Sequence, residues 1–352
     1  MNMNFTYNIN PSRIVFGAGA LDTLADQIRE LGTHRALILS TPFQRADAQK
    51  LAERLGVLAA GVFSEAAMHT PIAVTRNALA TYKALQADCV VALGGGSTIG
   101  LGKAIALRTH APQIVVATTY AGSEVTPILG QTEDGVKTTI RDRKLLPAVV
   151  IYDPTLTLGL PVSMSVTSGL NAMAHAVEGV YAKDCNPISS LMAVEGVRAL
   201  RDALPAIVSN PADLAARTRA LYGSWLCGSV LGTVGMALHH KLCHTLGGSF
   251  DLPHAETHAI MLPHTMAYNA QAAAEALQPM ADLFGGSIGS GLYEFARNLG
   301  APMALKDLGL KEEQLDAAAQ LAVKNPYWNP RPVERAAIRE LLQRAWNGAR
   351  PE

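Results

Sequence analysis

Short, uninterrupted apolar runs alternate with amphipathic stretches along the first 153 residues. RIVFG (13–17), RALILST (35–41), VLAAGVF (57–63), CVVALGGG (89–96), QIVVATT (113–119) and AVVIYD (148–153) read as strands. Most lack polar alternation, as parallel strands covered on both faces require. Between them, LDTLADQIRELG and ADAQKLAERLG have helical period and end at glycine, the usual helix stop. Strand–helix alternation predicts a doubly wound, mainly parallel α/β domain. Within PILGQTEDGVKTTI, Asp134-Gly135 is a turn signal and predicts an inserted hairpin.

The pattern changes after Asp153-Pro154. The remainder is rich in Ala, Leu and Met and has long helical periodicity, so residues 1–155 are assigned to the α/β domain and 156–352 to an all-α domain. Gly159 and Pro161 punctuate the join, LTLGLPVSMS. Ala220 to Leu238 carries no charge and has the length of a membrane span. Its four glycines, together with Ser, Thr and Trp, favour a helix buried inside the helical domain. The tail WNPRPVERAAIRELLQRAWNGARPE opens on a proline-rich turn and continues as a charged amphipathic helix.

Composition narrows the function without fixing it. Nearly half of the residues are hydrophobic, which predicts a soluble protein with a sizeable core. Basic and acidic residues balance at zero net charge, which gives no reason to expect nucleic acid or a membrane as partner. The four cysteines, Cys89, Cys185, Cys227 and Cys243, form no CxxC pair. Free buried thiols in a reducing cytoplasm are expected. The N-terminal MNMNFTYNINPSR lacks the basic-then-apolar order of a signal peptide.

CVVALGGGSTIGLGKAIAL reads as a strand, a glycine-rich turn and a helix. Gly94, Gly95 and Gly96 let the main chain approach a ligand, and the following helix N-terminus favours a phosphate. Ser97 is placed to cap that helix and to donate to a phosphate oxygen. The turn is neither GxGxxG nor a Walker A loop, because Lys103 lies well inside the helix. VVATTYAGSEVTP adds Thr118, Thr119, Ser123 and Thr126 beyond another strand. Ligands of open α/β sheets bind at that edge, so a Rossmann-like nucleotide site is expected. Thr41 ends the second strand, and LSTPFQR offers Arg45 but no acidic residue for a ribose hydroxyl, leaving NADH and NADPH both open. Lys137 and Lys144 flank this edge, as contacts to a phosphate or to the other domain.

HHKLCHTLGGSFDLPHAETH (239–258) holds five of the ten histidines. His240 and His244 are four apart and share a helix face, as do Asn171 and His175 in SGLNAMAHAVEGVY. His254 follows a turn at Leu252-Pro253. These groups are expected to converge, with His239, His258 and His264 behind them and Glu178 in a structural ion pair.

Four ordered motifs, GGGSTIGLGK, TTYAGSEVT, NAMAHAVE and HKLCHTLGGSFDLPH, resemble those of the iron-containing (group III) alcohol dehydrogenase family, over nearly the whole chain. The resemblance implies a dehydroquinate synthase-like architecture and a homodimer. It carries the family's metal ligands, an Asp and three His, onto Asn171, His175, His240 and His254. Asn171 is an amide where that pattern has a carboxylate, and a neutral oxygen is the poorer donor to a divalent cation. Gly100 stands where many relatives have Asp. With these departures, TTYAGSEVTP, LPHAETHAIMLPH and NPRP most resemble the maleylacetate reductase subgroup.

That subgroup implies reduction of a small dicarboxylate, maleylacetate, to 3-oxoadipate by NADH or NADPH in bacterial aromatic degradation, with no metal expected. The donor and acid set is then His175, His240, His244 and His254, with His244 first choice as proton donor. Lys241 is a candidate carboxylate contact and Asn171 a hydrogen-bond partner. Other readings remain: a metal-dependent alcohol or glycerol dehydrogenase, a dehydroquinate synthase-like carbon–oxygen lyase, or a nucleotide sensor.

Overall fold

The computed structural model describes residues 5–8, 10–133 and 136–352, without the side chains of Val136 and Lys137. The turn expected at Asp134-Gly135 and the Lys137 side chain lie outside what is described. Two compact units make up the chain, Ile9–Leu160 and Met1–Asn8 with Pro161–Glu352.

The first unit is built on six parallel strands, β1 (Arg13–Phe16), β2 (Ala36–Leu39), β3 (Ala59–Phe63), β4 (Cys89–Gly94), β5 (Gln113–Ala117) and β8 (Val149–Tyr152). Their order is β1-β8-β5-β4-β2-β3. β6 (Ile128–Glu133) and β7 (Val136–Arg141) form the separate antiparallel hairpin. Helices α1 (Leu24–Glu30), α2 (Arg45–Leu55), α3 (Ile72–Ala84) and α4 (Gly96–Thr109) cover the sheet. Alternation within β2 shows why its run is continuous. Ala36 and Ile38 pack with Leu24, Ile28, Leu51 and Leu55 of α1 and α2. Leu37 and Leu39 pack with Ala78 of α3 and with Leu101 and Ile105 of α4. Both faces are therefore apolar, and the sheet is doubly wound.

The second unit is helical: α5 (Val162–Gly179), α6 (Pro187–Ser209), α7 (Leu214–Thr233), α8 (Leu238–Phe250), α9 (His254–Asn269), α10 (Ala274–Leu283), α11 (Ile288–Asn298), α12 (Leu315–Val323) and α13 (Arg335–Asn347). From Ser165 to Gly179, α5 is buried on every side. It packs against α6, α7 and α9. Where α6 crosses α7, glycines meet. A Cβ on Gly223 would stand 2.8 Å from the Gly196 carbonyl oxygen.

The uncharged stretch 220–238 departs from expectation. It is not one helix: α7 ends at Thr233, the chain is extended at Val234, and α8 starts at Leu238 after a bend of 95°. The Gly235 amide, freed by the break, donates to Asp184 Oδ1 at 2.8 Å. Among the described residues no single helix is long and apolar enough to cross a membrane, although the bent pair passes on length and composition.

Candidate active site

The strand order reverses between β2, which leads outward to β3, and β4, which leads to β5 on the other side. Such a switch opens a crevice at the carboxyl edge of the sheet. Thr41, Gly94 and Thr118 stand at the ends of these neighbouring strands. Gln44, which the sequence reading passed over, ties them together. Its Nε2 donates to Thr118 Oγ1 at 3.1 Å, and its Oε1 accepts from Thr41 Oγ1 at 3.4 Å.

Gly94 has φ +153°, and a Cβ there would lie 2.6 Å from Thr98 Oγ1. One on Gly95 would lie 2.7 Å from Thr119, whereas one on Gly96 meets open space. Ser97 does not cap α4 as expected. The N-cap is Gly95, no side chain caps it, and Ser97 lies half-buried in the first turn. A flexible glycine can reach the N-cap geometry, so the serine falls two positions past the cap, inside the helix. The Thr98 hydroxyl is buried without a partner. An uncapped helix start, a glycine opening and an unspent hydroxyl together fit a phosphate.

Lys103 holds the loop after β5. Its fully buried Nζ donates to Ser123 O at 2.7 Å, Thr126 Oγ1 at 2.9 Å and Ile128 O at 2.9 Å. Burial pushes its pKa down to about 7, against the pull of Glu124. Thr126 is thus spent on the loop, and Thr119 and Ser123 remain half-buried beside it. Further along the edge is a cavity of about 240 Å³ among Leu21, Leu51, Leu93 and Leu156, with Gln44, Asp47, Lys50 and Arg54 on its polar side. Asp47, two residues past LSTPFQR, is the acidic group on this lining. It was missed because it sits on α2, beyond the strand end. Arg45 is exposed and outside this lining, and Lys144 is exposed with its amide on Asp142.

In the helical unit, α5, α8 and α9 bring the histidines together. Asn171 and His175 share one face of α5, both buried. His175 Nδ1 is 2.8 Å from His240 Nε2, and His240 Nδ1 is 2.5 Å from Glu178 Oε2. The same carboxylate accepts the main-chain N–H groups of His239 at 2.7 Å and His240 at 3.3 Å. These are the opening amides of α8, which has no cap of its own. Glu178 therefore caps α8 from α5 and orients His240, the structural part expected of it.

His254 opens α9, and its ring lies 6.4 Å from that of His244, nearly parallel. His258, one turn on, is closer to the centre than expected: its ring centroid is 4.4 Å from His254, 5.1 Å from His240 and 5.9 Å from His175. His239 lies behind it, its Nε2 2.9 Å from His258 Nδ1 and its Nδ1 3.0 Å from Thr265 Oγ1. Burial holds the pKa of both rings well below the usual histidine range, and neighbouring imidazoles push the same way. His244 is exposed and His254 half-buried, so these two have access to solvent. His264 makes no described ring contact with the cluster. Burial and nearby Arg344 push its pKa down to about 4. Lys241 is half-buried with Nζ 5.7 Å from the Tyr327 ring centroid. Tyr327, far along the chain and missed in the sequence, has a buried hydroxyl without a partner. Burial, aided by the Glu178 charge, raises its phenol pKa well above normal.

The glycine-turn sheet unit and the helical unit with its clustered histidines are those of a two-unit oxidoreductase. Family models match both parts: "Iron-containing alcohol dehydrogenase" over residues 11–154 and "Fe-containing alcohol dehydrogenase family, C-terminal" over 165–346. The chain belongs to the iron-containing alcohol dehydrogenase family. It is 67% identical to the maleylacetate reductase of Rhizobium sp. strain MTP-10005, across 99% of both chains. The crystal structure of maleylacetate reductase from that strain superposes with a TM-score of 0.96 at 66% identity, covering 99% of this chain and 100% of that one. The one from Agrobacterium tumefaciens gives 0.96 at 65%, with the same coverage.

The family's name implies a metal, and the four positions do not fit one as arranged. Two imidazole nitrogens on a tetrahedral cation stand roughly 3.3 Å apart. Here the facing nitrogens of His175 and His240 are bonded to each other at 2.8 Å. Glu178 holds the Nδ1 side of His240, so the Nε2 that a cation would need is the nitrogen already facing His175. The remaining oxygen ligand would be the Asn171 amide, which brings no charge to offset a cation. A second grouping, His239, Cys243 and His258, is buried. Its two ring nitrogens are likewise at hydrogen-bond distance.

Proposed function

We propose that the chain reduces maleylacetate to 3-oxoadipate with NADH or NADPH, without a resident metal. The full-length identity to the Rhizobium maleylacetate reductase carries the reading. The amide at Asn171 supports its metal-free part. Gly94, Gly95, Gly96 and Ser97 would hold the pyrophosphate, with Thr41, Thr118, Thr119 and Ser123 around it. Asp47 and Lys50 line the adjoining cavity. When bound, the nicotinamide supplies a hydride for the alkene carbon β to the ketone.

The chain's own residues do the rest. As hydride adds, charge gathers on the ketone oxygen, and an N–H of His244 or His254 stabilises that enolate in place of a Lewis acid. His244 or His254, the rings with access to solvent, delivers a proton to the carbon α to the ketone. His240 is kept in one orientation by Glu178. Lys241 is the cation for one substrate carboxylate. The free cysteines support a cytoplasmic setting, and family resemblance supports a homodimer.

The test is NADH oxidation with freshly generated maleylacetate, with and without a strong chelator. We expect turnover that the chelator leaves unchanged, and at least a tenfold loss in His244→Ala or His254→Ala. Activity abolished by chelator and restored by zinc or iron overturns the metal-free reading. Absence of net oxidation of NADH and of NADPH alike overturns the reductase and favours a lyase.

A further inference from the structure

We propose that Thr265, at the far end of a buried hydrogen-bond chain, sets the tautomer of His258 and so holds a bare acceptor nitrogen inside the histidine cluster. The direction of each bond follows from the one before it. Thr265 has a single hydroxyl proton, and its Oγ1 lies 2.9 Å from Met261 O and 3.1 Å from Leu262 O. Carbonyl oxygens only accept, so the proton goes to them. Toward His239 Nδ1, at 3.0 Å, the hydroxyl oxygen must therefore accept. That places the His239 proton on Nδ1 and leaves Nε2 bare.

Two donors turn to that bare nitrogen. His258 Nδ1 is 2.9 Å away, and the Cys243 thiol is 3.7 Å away. His258 consequently carries its proton on Nδ1, and its own Nε2 is bare. Both rings are fully buried. No described carboxylate pairs with either ring to hold a second proton. His258 Nε2 is itself buried and has no hydrogen-bond partner. An unspent acceptor in the interior is costly, and its cost is offset when a ligand or an ordered water brings it a proton.

The consequence rests on the function proposed above. A bare imidazole nitrogen repels carboxylate and enolate oxygens and attracts O–H or N–H. A doubly anionic substrate is thereby turned so that neither carboxylate faces His258, and only a proton-bearing group or water settles there. Thr265 acts as a positioning residue, two rings removed from the ligand. Nothing in the arrangement changes net charge; only the side of each ring that carries hydrogen is chosen.

Long-range proton–nitrogen NMR of histidine-labelled resting enzyme tests it, with His258 signals assigned by their loss in His258→Gln. The parent should show His239 and His258 protonated on Nδ1. Thr265→Val keeps the shape and removes the acceptor. It should populate the opposite tautomers and lower kcat for maleylacetate about tenfold, with KM for NADH unchanged. Thr265→Ser should restore both. Finding His258 protonated on Nε2 in the parent overturns the proposal, whether or not Thr265→Val folds. So does a tautomer change without a change in kcat, or the reverse. If the parent does not turn over maleylacetate, the reductase reading fails, while the tautomers remain readable.

Discussion

Position 171 carries an amide on the same helix face as His175, where a carboxylate would bring charge to offset a cation. Asn171→Asp adds the missing charge beside His175 without changing size. We expect that variant to retain zinc or iron through dialysis and to bind it at least tenfold more tightly than the parent, as read by elemental analysis of the dialysed protein. Equal metal content in both would show that the amide is not what keeps a cation out. The pairs Asn171 with His175 and His240 with His244 were legible in the sequence, because i, i+4 spacing reports a shared face, and His254 was placed by the turn at Leu252-Pro253. The places of His258 and His264 were not. Which histidine ends up central depends on how α8 and α9 pack, and spacing within one helix says nothing about that. Tyr327 was invisible for the same reason, and Asp47 because the search for an acid stopped at the strand end.

Among the elements, the α6–α7 crossing depends on two glycines that let main chains touch. Gly223→Ala would put its methyl 2.8 Å from a carbonyl oxygen, which cannot move without its helix. The expected outcome is a loss of about 1–3 kcal/mol, seen as a lower urea midpoint with little change in slope. The strands of the sheet were plain from their apolar runs, since parallel strands buried on both faces have no polar alternation to confuse. The break between α7 and α8 was hidden for a related reason. An uncharged segment reads alike whether straight or bent, and the group that accepts the Gly235 amide, Asp184, comes from fifty residues upstream.

For the molecule as a whole, the buried imidazoles make acid a threat. His239, His258 and His264 have native pKa values depressed below their unfolded value of about 6.5. Between the two values the unfolded chain binds more protons, so stability is complete above about pH 6.5 and falls as pH drops. For His264, at about 4, the loss by pH 5 is on the order of 2 kcal/mol. Urea unfolding at pH 7.5 and pH 5 should show it, and His264→Gln should flatten the difference. The two-unit plan itself could be read from the change of period after Asp153. Glu178 touches three donors, two of them the opening amides of a helix. His240 and the start of α8 are thereby anchored to the scaffold through α5. A lineage could exchange one ligand side chain for another, and one reaction for the next, while the frame around it stayed standing.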